Sequence, residues 1–208
     1  MSRLIDDLLS LSRIEIDKHV RPASVLALQG MVGEVGKSLA MRLDADNRRL
    51  DIVESPDLPP VIADRDQIVQ VLHNLISNAL KYGRSGSAIS VTVVPEPAGP
   101  VQPPSVRLSV ADQGDGIPAE HLPRLTERFY RVDSQRSRSM GGTGLGLAIV
   151  KHIVERHRGR LEIESRQGEG TRVSVLLPQA SQGTDIVSLQ AHSLDIPFLP
   201  YQLSAQCS

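Results

Sequence analysis

The chain has 208 residues, with 23 Lys and Arg against 24 Asp and Glu and a formal charge of -1 at pH 7, a balance that argues against a general polyanion binder or an acidic tail. A hydrophobic share of 40 % is enough for one sizeable core with appendages, while the lone Cys207 excludes a disulfide framework and any multi-cysteine zinc or iron–sulfur site. No run approaches the roughly 18 apolar residues needed to cross a bilayer, Asp6 and Asp7 oppose a secretion signal, and 2 % aromatics leave little with which to stack bases. The chain is therefore expected to be soluble and cytoplasmic, with no direct membrane insertion and no direct nucleic-acid partner.

Residues 1–19 place Leu4, Leu8 and Leu11 at helical spacing, flanked by Ile5, Leu9 and Ile16. A lone amphipathic helix is marginal in water, so this stripe needs a partner helix, expected from outside the chain. After a break at Pro22 and Ser24, the intervals between Leu28, Val32, Val35 and Leu39 predict a second helix, and Leu50–Val53 a short strand. Asp64 and Gln67 resemble a capping box opening a helix whose buried face holds Ile68, Leu72, Leu75, Ile76 and Ala79, with Gly83 and Gly86 ending it. Ala88–Val94 and Val106–Ala111 read as strands joined by an exposed loop, since residues 95–105 hold five prolines. A polar segment from Ile117 to Gly142 has one short helical core around Leu122–Tyr130. It precedes a helix over Leu145–Arg156 with Leu145, Ala148, Ile149 and Ile153 turned inward. Leu161–Ser165 and Thr171–Leu177 form a hairpin around Gln167–Gly170, and beyond Pro178 no sustained period remains, as in a flexible tail. Helices segregated from a mixed, mostly antiparallel sheet predict an α/β sandwich.

Three constellations stand out. Asn74 and Asn78 lie one helical turn apart, with Lys81 beyond them, so two amides and an ammonium share an edge suited to phosphate oxygens and a hydrated Mg²⁺; incidental asparagines on a solvated face would look the same. Asp112 closes a strand and is followed by Gly114 and Gly116, which suits a carboxylate accepting from an exocyclic amine, although a plain Asp-Gly turn has the same letters. Gly141, Gly142, Gly144 and Gly146 open a helix N-terminus, where unmet N–H groups and the dipole favour phosphate. This segment lacks the Gly-Lys-Ser/Thr ending of a P-loop and follows a loop instead of a strand, which removes both the P-loop and the dinucleotide-binding readings; a hinge is the plainer alternative. Between the last two constellations, residues 121–140 carry Arg124, Arg128, Arg131, Arg136 and Arg138 against Glu127 and Asp133. Such a basic loop suits closure over a triphosphate, as it also suits simple solubility.

Taken in order, HNLISNALKY (73–82), DQGDGIP (112–118), LTERFYRVD (125–133) and GGTGLGLAIVKHI (141–153) resemble the N box, first glycine box, F box and second glycine box of sensor histidine kinase catalytic domains. These domains sit within the wider ATPase superfamily that includes gyrase. The resemblance covers about residues 60–178 and is nearest in pattern to the phosphate-sensing subfamily. It implies a Bergerat-type ATP-binding fold over residues 20–178, a remnant of the dimerisation hairpin over 1–19 and an atypical tail over 179–208. It further implies ATP and Mg²⁺ as cofactors, Asn78 as metal ligand, Asn74 and Lys81 as aids to metal and phosphate placement, and Tyr82, Asp112, Gly114, Gly116 and Ile117 at the base. Gly142, Thr143, Gly144, Leu145 and Gly146 would form the phosphate end, and Phe129, Arg128 and Arg131 would serve transfer and docking. The implied partners are acceptor-histidine dimerisation helices and a response-regulator receiver domain. Hydrolytic relatives carry glutamate where this chain has Asn74, whose amide cannot take a proton from water, so transfer to another nucleophile is the expectation. None of the six histidines has acceptor-motif surroundings; a non-catalytic ATP-binding module that docks on a complete kinase is the alternative.

Overall fold

A computed structural model describes residues 2–16, 20–99, 102–132 and 142–180. The elements in chain order are α1 (Ser2–Ile16), β1 (Val25–Leu26), α2 (Met31–Ser38), α3 (Ala40–Ala45), β2 (Leu50–Glu54), β3 (Val61–Ile62), α4 (Arg65–Tyr82), β4 (Ile89–Glu96), β5 (Ser105–Asp112), a 3-10 helix (Ala119–Arg124), α5 (Gly146–Arg156), β6 (Arg160–Arg166) and β7 (Gly170–Pro178). Five strands form one sheet in the order β2-β4-β5-β7-β6, and β1 pairs antiparallel with β3 apart from it. Every ladder of the large sheet is antiparallel except β2 with β4. A parallel pair requires a crossover, and α4 supplies it, so the loop entropy of one connection also lays the central helix across the sheet.

Alternation along the strands decides which face α4 and α5 cover. The register aligns Val93, Leu108, Val175 and Leu161 in one row and Ile52, Val91, Val110, Val173 and Ile163 in the next. Most of these side chains join Ile68, Leu72, Ile76, Ile149 and Ile153 of the helices in one buried cluster. Rows between them carry polar or small residues such as Thr92, Ser109 and Ser174, the last two sharing a hydroxyl–hydroxyl hydrogen bond of 2.8 Å. Pro95 lies inside β4, opposite Val106, but two residues beyond Val93, where the pairing with β2 ends, so its missing N–H breaks no ladder with that strand.

The start of α4 is held in an unexpected way. Asp64 Oδ1 accepts from the Asp66 and Gln67 amides at 3.0 and 3.2 Å, as a cap should. The reciprocal half of a capping box is absent: the Asp64 N–H donates to His157 Nε2 at 3.0 Å, and Gln67 Oε1 is buried with no partner among the described residues. The other ring nitrogen of His157 lies 2.7 Å from the Ile153 carbonyl oxygen, which can only accept. The pair of bonds therefore fixes a neutral ring with its proton on Nδ1. Burial pushes the His157 pKa below its ordinary value of 6.5.

Other expectations change as well. No α-helix spans Leu122–Tyr130: a six-residue 3-10 helix ends at Arg124 and turns follow, because Pro123 lies within it and Phe129 adopts a φ of 63° that no α-helix accommodates. The second helix begins at Met31, after a left-handed Gly30, and is interrupted at Leu39; Leu28 precedes it and is buried all the same. Part of the α1 stripe finds cover within this chain, since Leu11 is buried, as is Ile14, and α1 packs on α5. Leu4, Ile5, Leu8, Leu9 and Ile16 stay exposed. Arg136, Arg138, Gly141 and the tail from 181 onward lie outside the described residues, as do positions 17–19 of the expected N-terminal segment.

Candidate functional site

One cavity of about 240 Å³ opens between α4, the floor of the sheet and the segment leading into α5. Its floor is apolar, made by Val110, Ile163 and Val173 from three neighbouring strands, with Leu125 and Leu147 above. Helix periodicity brings Asn74, Asn78 and Tyr82 to one side, with Lys81 adjoining. Asp112 enters from the end of β5 because the strand stops there and the chain turns at Gly114 and Gly116. Gly116 has a φ of 67°, and a Cβ at that position would sit 1.9 Å from the Arg166 carbonyl oxygen, so only glycine lets the turn lie against β6. Ile117, next to it, is tied by its N–H to the Ser165 hydroxyl at 2.9 Å.

The Asp112 carboxylate is partly buried and aimed into the cavity. Desolvation raises its pKa, while the Gly114 N–H, the positive charge of Arg48 and the Thr171 N–H act the other way. The Gly114 N–H reaches Asp112 Oδ1 at 2.8 Å. Thr171 stands opposite Asp112 in the β5–β7 register and lines the same cavity.

Gly142, Thr143, Gly144 and Gly146 form the far wall. This wall is pinned from two sides. Arg131 donates to the Gly142 carbonyl, and the Phe129 N–H donates to the Gly144 carbonyl at 2.9 Å. The Thr143 hydroxyl donates to Asp7 of α1 at 2.7 Å, and Arg128 pairs with Glu15 of the same helix. Tyr130, at the mouth, holds His121 Nδ1 at 2.6 Å, and the Arg124 guanidinium lies 4.3 Å from its ring centroid.

Of the residues expected at the site, Asn74, Asn78, Lys81, Tyr82, Asp112, Gly116, Ile117, Gly142, Thr143, Gly144, Gly146 and Arg131 line the cavity. Four do not. Gly114 is buried behind Asp112, the Leu145 side chain is part of the core, Arg128 faces α1 and Phe129 is exposed outside the cavity lining. Sequence reasoning missed Thr171, whose signal lies in following the GEGT turn opposite Asp112. It also missed Asp7, which lies 136 positions from Thr143 and has no local signature.

The cavity suits an elongated ligand with an apolar end and an anionic end. The floor and Asp112 make the first; amides, an ammonium, a guanidinium and the backbone of a helix start make the second. Asn74 Nδ2 is buried with no acceptor among the described residues, a donor of the kind a phosphate oxygen would satisfy. No group of three or more His, Cys, Asp or Glu among the described residues could hold a metal by itself. Magnesium, which binds through few protein groups and otherwise through water and phosphate, is compatible with an amide oxygen of Asn78. Among the described residues, no helix is long and apolar enough to cross a membrane.

Comparison with known proteins supplies the remaining context. Residues 63–181 match the model of a family described as histidine kinase-, DNA gyrase B-, and HSP90-like ATPase. The "Non-motile and phage-resistance protein" of Caulobacter vibrioides is 40 % identical over 177 residues, which cover 84 % of this chain and 20 % of the relative. The "Phosphate regulon sensor protein PhoR" of Pseudomonas aeruginosa is 36 % identical over 171 residues, 82 % of this chain and 37 % of the relative. The chain thus spans well under half the length of these curated relatives. Among solved structures, full-length ShkA in complex with AMPPNP superposes with a TM-score of 0.73 at 24 % identity, over 88 % of this chain and 36 % of that one, a likeness of fold.

Proposed function

The chain belongs to the histidine kinase-, DNA gyrase B-, and HSP90-like ATPase family, and from that premise we propose that it is the ATP-binding catalytic domain of a sensor histidine kinase. In this reading it delivers the γ-phosphoryl group of ATP to a histidine on a dimerisation helix, from which an aspartate of a response-regulator receiver domain takes it. The single observation that carries the reading is the convergence of Asn74, Asn78, Asp112 and the glycine-rich turn 142–146 on one cavity.

Asp112 accepts the exocyclic amine of adenine, while Tyr82 and Ile117 flank the ring above the Val110 and Val173 floor. Asn74 and Lys81 donate to phosphate oxygens, the N–H groups between Gly142 and Gly146 close around the terminal phosphates, and Asn78 offers its amide oxygen to magnesium. Magnesium, when bound, neutralises charge on the phosphates and on the oxygen that leaves. Arg131, already bonded to the Gly142 carbonyl, stands beside the same wall, whereas Arg128 pairs with Glu15 of α1. Because the Asn74 amide cannot serve as general base, water is not activated, and the site positions and neutralises charge for a nucleophile that comes from elsewhere. Several relatives with differently described roles match to a similar degree, so the proposal rests on the family, with phosphate sensing as one branch of it.

The second reading is a non-catalytic ATP-binding module that docks on a complete kinase. Mixing the purified chain with a separately made acceptor-helix dimer and γ-labelled ATP separates the readings. Label on the acceptor histidine is the expected result. ATP binding without transfer under verified docking indicates the module, and steady phosphate release without any acceptor would replace both with an ATPase. Asn78→Ala is expected to lower the magnesium-dependent part of ATP affinity roughly tenfold or more; a variant whose titration keeps the normal magnesium dependence removes Asn78 from that role.

A further inference from the structure

Among the described residues Arg48 is the one permanently charged side chain that is buried, at 6 % exposure, and it lies outside the cavity. A buried guanidinium is costly unless its donors are met, and here all three nitrogens are. Nη1 donates to the carbonyls of Ala79, Leu80 and Gly83 at 3.0, 2.9 and 3.2 Å. Nε and Nη2 donate to the Ser87 carbonyl and hydroxyl, each at 3.3 Å. Arg48 thus gathers carbonyls of the last turn of α4, where the helix dipole is negative, and ties them to the approach to β4. Its own backbone is set by the turn after α3, with Asn47 at a φ of 49° and the Arg48 N–H bonded to the Leu43 carbonyl at 2.8 Å.

The grip bears on the cavity through a short chain of contacts. Gly83, whose carbonyl Arg48 holds, bridges Gly114 across from α4, and the Arg84 N–H reaches the Gln113 carbonyl at 3.3 Å. A Cβ on Gly114 would lie 2.3 Å from the Tyr82 carbonyl oxygen, so the two segments touch with no room for slippage. The N–H of this same Gly114 orients the Asp112 carboxylate. Lys81 and Tyr82 sit in the turn that Arg48 fastens.

We propose that Arg48 is a positioning residue for base recognition: by fixing the last turn of α4 against the Asp112–Gly114 turn, it sets where the Asp112 carboxylate meets the purine edge. The inference rests on the nucleotide-binding reading above and adds to it the residue that controls base discrimination. Losing the grip frees the Gly83–Gly114 seam and misaligns Asp112, while the wall of residues 142–146 at the opposite end is untouched.

The test is titration of the full chain and its Arg48→Met and Arg48→Lys variants with Mg-ATP, Mg-GTP and inorganic tripolyphosphate, with circular dichroism and a melting curve to verify folding. The ATP-to-GTP affinity ratio is expected to fall roughly tenfold in Arg48→Met and by less in Arg48→Lys, with tripolyphosphate affinity kept within about twofold. A purely structural role would lower the melting temperature and leave the ratio unmoved in folded protein; that result overturns the proposal. Should Arg48→Met not fold, Arg48→Lys and Ser87→Ala, which removes one arm of the grip, carry the same reading with smaller amplitude, and an unchanged ratio in both overturns it. Wild-type chain that takes up no ATP would overturn the nucleotide reading and this inference together. Normal wild-type binding with an unmoved ratio in the variants overturns the inference alone.

Discussion

Asp112 illustrates how a single carboxylate is tuned by its surroundings. Burial favours the protonated acid, whereas two backbone N–H groups and Arg48 favour the anion. The net direction is upward, so the carboxylate gains its proton at a higher pH than an exposed aspartate does. ATP affinity measured against pH should therefore decline on acidification from above the ordinary aspartate range, and Asp112→Asn should abolish that limb. The same substitution is expected to weaken ATP binding by about 1.5–3 kcal/mol, the range for a hydrogen bond to a charged group, or roughly tenfold to a hundredfold in Kd. Calorimetry that finds wild-type affinity in Asp112→Asn would detach this residue from the base. The local letters Asp-Gln-Gly-Asp-Gly were legible as a turn, and their order relative to the other motifs pointed to the cavity that Asp112 and Gly116 line. The Thr171 and Arg48 groups that shape the carboxylate were not legible, because a β-sheet register and a helix C-terminus bring them there from distant positions.

Elements lock one another through their ends as much as through their faces. The N-cap of α4 and the C-terminus of α5 meet at His157, whose neutral ring accepts from the Asp64 N–H and donates to Ile153. The fold resists the second proton and the unfolded chain does not. Stability from this site is thus complete above the ordinary pKa of 6.5 and is lost as pH falls below it toward the depressed folded value. Urea midpoints at pH 7.5 and 5.5 should differ more for the wild type than for His157→Gln, whose amide oxygen can still accept from Asp64; equal differences would show that the ring does not titrate against folding. The helical period and Asp64 announced α4 in the sequence, yet the capping-box pattern pointed to Gln67 as its partner, and a spacing rule cannot see a ring 93 residues away. The Leu122–Tyr130 segment misled for another reason. Its apolar spacing is helical, but Pro123 and the left-handed Phe129 override periodicity, and the Phe129 N–H is spent on the Gly144 carbonyl instead of on a helix.

At the scale of the molecule, the N-terminal helix touches both the core and the cavity. Leu11 and Ile14 are buried against the α5 side, Glu15 pairs with Arg128, and Asp7 lines the anionic end through Thr143. A carboxylate there repels phosphate oxygens, so under the proposed function a bound triphosphate and the Asp7–Thr143 bond would oppose each other. Asp7→Asn should raise ATP affinity by a few-fold while leaving adenosine affinity level; parallel changes for both ligands would place the effect elsewhere. The sandwich and its main helices follow from periodicity alone, since rows of valine and leucine leave the strands one choice of buried face. The placement of α1 on α5 does not, because its stripe offers more apolar surface than one neighbour covers.

The two kinds of anchorage on α1 respond to solutes in opposite senses. Excluded salts such as sulfate tighten the contact made by Leu11 and Ile14, while the same ions screen the carboxylates of Asp7 and Glu15. Raising the concentration of such a salt is therefore expected to weaken the Glu15–Arg128 pair at the end of the helix while Leu11 and Ile14 hold the helix more firmly on the core.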